Sequence, residues 1–110
     1  MFALYVRHQL HPHAVDDFDR SVDRAVTSIR ANEPDTLAYV VGAPEDDPLA
    51  RVFLEVYRDR EAFARHNAQP YVQEFLAARE PMLSELRVEF VPECDGVMPT
   101  PTGLSPSAPP

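Results

Sequence analysis

The hydrophobic period of this 110-residue chain switches from two to about 3.6 and back twice, and few folds accommodate that order. Phe2 to Leu10 alternates, with Phe2, Leu4, Val6 and His8 on one side and Ala3, Tyr5 and Arg7 on the other, as a strand requires. His11-Pro12-His13 breaks it, and Pro12 suits the first turn of a helix because its fixed φ is already helical and its missing donor costs nothing there. From Ala14 to about Asn32, Val15, Phe18, Val22, Ala25, Val26 and Ile29 recur at spacings of three and four, with acidic residues concentrated at the positive end of the helix dipole. Glu33-Pro34-Asp35 reads as a turn, followed by strands over Thr36 to Gly42 and Arg51 to Arg58 across an acidic, proline-containing loop. Asp59 is the expected N-cap of a short helix over Arg60 to Asn67, and Pro70 starts a second helical segment that Pro81 ends. Leu86 to Val91 alternates again as a fourth strand. The order β-α-β-β-α-β specifies a ferredoxin-like α+β sandwich, with a four-stranded antiparallel sheet and helices on one face. Because several strands are apolar on both sides, the uncovered face needs a second partner, and a second copy of the chain gives a homodimeric α+β barrel.

Composition sets the outer limits. A chain of 12.4 kDa holds one core, which is placed in residues 1–91. Residues 92–110 carry six of the twelve prolines and two of the three glycines, and are expected to form a disordered tail. A net charge of −8 repels a phosphate backbone, so nucleic acid is not an expected partner. No apolar run approaches the about 20 residues of a membrane span, and Met1 to Leu10 lacks the layout of a signal peptide, so the expected location is the cytoplasm. The single cysteine, Cys94, cannot form an intrachain disulfide, in keeping with a reducing compartment.

Few residues can carry chemistry. Three glycines, at 42, 96 and 103, build neither a dinucleotide-binding turn nor a phosphate loop, and no GxSxG elbow is present. His8, His11 and His13 cluster at a strand end without a carboxylate or thiolate at ligand spacing, so no metal site is expected. His66 stands three residues after Phe63, on the apolar side of the short helix, where it is either a hydrogen-bonded core residue or a functional one. Glu55 interrupts an apolar strand and therefore needs a partner or a raised pKa, and either a structural pair or a catalytic carboxylate satisfies that need. Tyr39 and Tyr57 place hydroxyls on apolar faces, which suits a core or an aromatic pocket equally.

The stretch Arg51 to Phe75, RVFLEVYRDREAFARHNAQPYVQEF, resembles the signature of the antibiotic biosynthesis monooxygenase (ABM) family. It carries a strand Glu with an aromatic two residues on, an acidic turn, Ala-Phe, a His three later, then Pro and a closing Phe. The Pro12 turn, Phe18, and Glu33-Pro34-Asp35-Thr36-Leu37 leading into the strand with Tyr39 are similar to that family as well. The resemblance spans residues 1–91 and implies small dimeric α+β barrels. By that resemblance, the chain is a cofactor-independent monooxygenase of secondary metabolism, oxidising a polycyclic aromatic, polyketide-like phenol or anthrone with dioxygen. His66 would be the catalytic base or the group orienting the substrate hydroxyl, Tyr57 and Tyr39 would position the ring, Glu55 would hold the catalytic polar network, and Val6, Phe63, Phe75 and Leu76 would line the substrate pocket with Tyr39. No cofactor or metal is implied, and the partners would be a small aromatic substrate and a second copy of the chain. Two alternatives use the same pocket: an isomerase or cyclase that consumes no oxygen, and a non-catalytic binding or accessory protein. The haem-degrading branch is not matched, because Val6, His66 and Leu76 stand where its Asn, Trp and axial His would be. The chain also has no Trp, which several oxygenases of the group use in the pocket.

Overall fold

The computed structural model describes residues 1–99. β1 (Phe2–Leu10) buries every second residue, as its alternation requires, and leads through a short 3-10 turn at Pro12–Ala14 into α1 (Val15–Asn32). Phe18, Val22, Ala25 and Ile29 form the buried stripe of α1, while Asp16 and Asp17 occupy its first turn. β2 (Thr36–Gly42) and β3 (Ala50–Tyr57) follow, then α2 (Arg60–Asn67) and α3 (Pro70–Arg79), and finally β4 (Leu83–Val91). The sheet order is β2-β3-β1-β4 with every neighbour antiparallel, the ferredoxin-like arrangement.

Element ends differ from the sequence reading in three places. β4 starts at Leu83, three residues early, because Leu83 and Glu85 pair with Leu10 and Gln9 across a bulge although their side chains do not alternate. β3 likewise begins at Ala50, which pairs with Gln9 and is fully enclosed. Pro81 lies within a separate 3-10 turn at Glu80–Met82, after α3 has already stopped at Arg79.

One sheet face carries the core: Phe2, Leu4, Val6 and Leu10 from β1 and Phe53 and Tyr57 from β3 pack against Phe18, Val22, Ala25, Ala62 and Phe75 of the helices. Among the described residues the opposite face has no helix. There Val40 pairs with Leu54, and Leu54 with Tyr5, in one row across three strands, and Val40 and Leu54 are 57% and 49% exposed. Residues 92–99 form neither helix nor strand, yet Cys94 exchanges backbone hydrogen bonds with Met1. The expected tail lies, from residue 100 onward, outside the described residues.

Candidate functional site

The turn between α1 and β2 supplies the central polar group. Glu33 follows the last residue of α1, and its amide closes on the Ile29 carbonyl, which fixes where its side chain emerges. Its carboxylate is enclosed and receives three hydrogen bonds: from Thr36 Oγ1 at 2.6 Å, from the Tyr71 hydroxyl, and from His66 Nδ1 at 2.7 Å. An ionised carboxylate only accepts, so Nδ1 of His66 carries the hydrogen, and in the neutral ring Nε2 keeps its lone pair. Among the described residues nothing hydrogen-bonds to Nε2. The His66 side chain is 4% exposed and its ring lies 5.1 Å from Tyr57 and 5.6 Å from Tyr39, centroid to centroid.

His66 borders a cavity of about 180 Å³ between the helices and the sheet. Its walls are Leu4 and Val6 from β1, Tyr39 from β2, Phe53 and Glu55 from β3, Phe63 from α2, and Val72, Phe75, Leu76 and Arg79 from α3. Asn67, Val88 and Phe90 complete it, and Val88 and Phe90 are 39% and 55% exposed, so the cavity opens toward β4, the edge strand beyond the helices. Of the residues singled out from the sequence, Val6, Tyr39, Glu55, Phe63, His66, Phe75 and Leu76 all meet at this cavity. Tyr57 does not line it: fully enclosed, it stands behind Glu55 and donates its hydroxyl to Glu55 Oε1 at 2.6 Å.

The local electrostatics follow from burial. Burial pushes the Glu55 carboxyl up, and the Tyr57 hydrogen bond and the neighbouring His66 and Arg79 only partly oppose it. Burial, reinforced by the Glu55 charge, also raises the Tyr39 and Tyr57 phenols, so both are hydroxyl donors at neutral pH. At the far end, Arg79 Nη1 meets His8 Nε2 at 2.9 Å, and burial lowers the guanidinium from its usual value.

Glu33, Arg79 and His8 escape the sequence reading of the site. Glu33 sits in a Glu-Pro-Asp run whose turn chemistry accounts for every residue, and its contact with His66 spans 33 positions. Arg79 looks like an ordinary cation at a helix C-terminus. His8 belongs with His11 and His13 in sequence but not in space: it turns into the core against Phe18 and Phe53, while His11 and His13 stack on each other outside. Among the described residues no three potential metal ligands converge, and no helix is long and apolar enough to cross a membrane.

Comparison with solved structures places this architecture. A protein from Caulobacter crescentus assigned to the antibiotic biosynthesis monooxygenases superposes with a TM-score of 0.79 at 19% identity, covering 86% of this chain and 90% of that one. A Mycobacterium tuberculosis protein gives 0.79 at 23% identity over 86% and 96%. A conserved protein from Methanosarcina mazei gives 0.78 at 16% identity over 84% and 92%. At these identities the likeness is one of fold. No curated protein matches the chain. The family model described as antibiotic biosynthesis monooxygenase matches residues 1–78, most of the chain and nearly all of the site, including Glu33, His66 and Phe75. The chain belongs to the antibiotic biosynthesis monooxygenase family.

Proposed function

We propose that the protein is a cofactor-independent monooxygenase that oxidises an aromatic phenol or anthrone of polyketide type with dioxygen, the reacting ring lying in the cavity beside His66. The observation that carries this reading is the Glu33–His66 pair: an enclosed carboxylate on Nδ1 orients the ring, and Nε2, without a protein partner among the described residues, is left to an apolar cavity, an arrangement that suits a base. His66 Nε2 takes the substrate proton, and Glu33 stabilises the imidazolium that forms. The resulting phenolate or carbanion gives one electron to dioxygen, the two radicals join in a carbon–oxygen bond, and the hydroperoxide collapses. For an anthrone, the methylene loses two hydrogens and gains one oxygen, and the second oxygen leaves as water with the proton that His66 returns. Tyr39 donates a hydrogen bond to the substrate oxygen, and Glu55, bonded to Tyr57, closes the polar wall. Val6, Phe63, Phe75 and Leu76 hold the ring. The cavity lies below the about 300 Å³ at the lower end for drug-sized ligands, so the part of a tricyclic substrate beyond the reacting ring projects through the opening at Val88 and Phe90.

The same reading includes a homodimer formed through the helix-free sheet face, supported by the exposed Val40 and Leu54 in a row with Tyr5.

Oxygen uptake by metal- and flavin-free protein supplied with anthrones and naphthols tests the chemistry. Turnover is expected to consume one dioxygen per quinone formed, and Glu33→Gln is expected to lower kcat by about tenfold or more with little change in KM, since it weakens the base and not the ring contacts. Product formation under nitrogen would point to isomerisation or cyclisation, and no reaction with any phenolic substrate would leave a binding role.

A further inference from the structure

We propose that Arg79, held in place by His8, is an anion subsite, so that the cavity takes a flat acid: an aromatic ring bearing a carboxylate or an equivalent anionic oxygen. This rests on reading the cavity as a ligand site.

Arg7, Arg51, Arg58 and Arg65 each meet a carboxylate within 4 Å. Arg79 does not, among the described residues, although it is half-buried and lines the apolar cavity, its Cζ 5.9 Å from the Phe75 ring centroid. Its partner is a histidine whose tautomer is set from behind. His8 Nδ1 lies 3.3 Å from the Arg51 carbonyl, which can only accept, so Nδ1 carries the hydrogen and Nε2 offers its lone pair to Arg79. His8 therefore orients the guanidinium without neutralising it. One N–H is used, and the rest of the planar fork has no protein acceptor among the described residues. A cation beside Val6, Phe53, Phe75, Leu76 and Val88 has lost much of its water and gains most from an anion that presents two oxygens to the fork.

Register separates this charge from the base. Glu55 pairs with Leu4 and Phe53 with Val6, the β1 residues that line the cavity, while His8, which holds Arg79, lies two residues beyond Val6 on the same face, roughly 7 Å at about 3.3 Å each. Tyr39, Phe53 and Phe75 supply aromatic walls between them, and the Glu55 carboxylate, near enough for its charge to act on Arg79, stands on the side of His66. An acid anchored at Arg79 points the opposite edge of the ring toward Glu55 and His66.

The test is an anaerobic calorimetric titration with a hydroxynaphthoate whose acid and hydroxyl stand at opposite ends of the two rings, against its primary amide. The acid is expected to bind the wild type at least about tenfold tighter than the amide, the scale of a charge-assisted pair. Arg79→Gln is expected to abolish that preference while leaving amide affinity within about twofold, and Arg79→Lys, which keeps the charge but not the fork, to retain part of it. Equal affinities in the wild type overturn the assignment, whether or not Arg79→Gln folds. So does an undiminished preference in either variant, or an Arg79→Gln loss that falls equally on acid and amide. Failure of both probes to bind at millimolar concentration removes the ligand cavity and the subsite with it. Oxygen takes no part, so the subsite and the oxidation chemistry stand or fall separately.

Discussion

His8 is fully enclosed between the Arg51 carbonyl and the Arg79 guanidinium, with Phe18 and Phe53 against its ring. Burial, with the Arg79 charge second, lowers it from 6.5 to about 4, and the Arg51 hydrogen bond only partly offsets this. The unfolded chain accepts a proton near the ordinary value and the folded chain only near 4, so stability is complete above about pH 6.5 and falls as the pH drops toward 4. Over that window the loss amounts to about 3 kcal/mol for one proton. His8→Asn keeps an acceptor for Arg79 and removes the titration. Urea unfolding at pH 7.5 and 4.5 is expected to show wild type losing about 2–3 kcal/mol more than the variant, and equal losses would assign the acid sensitivity elsewhere. At this scale, legibility depended on contrast with neighbours. Glu55 and His66 stand out because a polar residue interrupts an apolar pattern, whereas Glu33 sits among turn residues and Arg79 at a helix end, where charges are ordinary. Their roles arise from partners 33 and 71 positions away, which no local pattern encodes.

α2 has only eight residues, too few to persist without tertiary packing, yet it presents Phe63 and His66 to the cavity. Its start is fixed by Asp59, which is extended and whose carboxylate accepts from the Ala62 amide at 2.8 Å. Asp59→Ala is expected to cost about 1 kcal/mol in denaturant unfolding and Asp59→Asn much less, since the amide oxygen caps as well. Indistinguishable stability of the two variants would show that packing alone positions the helix. Elements with a local start signal were legible to the residue: alternation marks β1 and β2, Asp59 marks α2, and Pro70 marks α3. The early starts of β3 and β4 were not, because Ala50 and Leu83–Glu85 join the sheet through backbone pairing with the end of β1, which side-chain character does not report.

For the molecule as a whole, the order of the strands follows from the order of the periods, but an occupant of the second sheet face does not, because the described residues leave that face bare. Light scattering during size exclusion is expected to give twice the chain mass at micromolar concentration. Leu54→Glu, placing a charge at the centre of the Val40–Leu54–Tyr5 row, is expected to give a folded species of single mass. Persistence of the two-chain species in that variant would locate the contact elsewhere. A different constraint comes from the junction at the end of α1. Because Glu33 stands one position past the helix, each residue added to or removed from α1 swings its carboxylate by about 100° around the axis and carries it off Nδ1 of His66. The helix is thus a ruler cut to the chemistry: insertions at 43–46, between β2 and β3, lie outside that measure, whereas any change in the count of α1 moves the carboxylate, since even a whole turn restores its direction but shifts it about 5.4 Å along the axis.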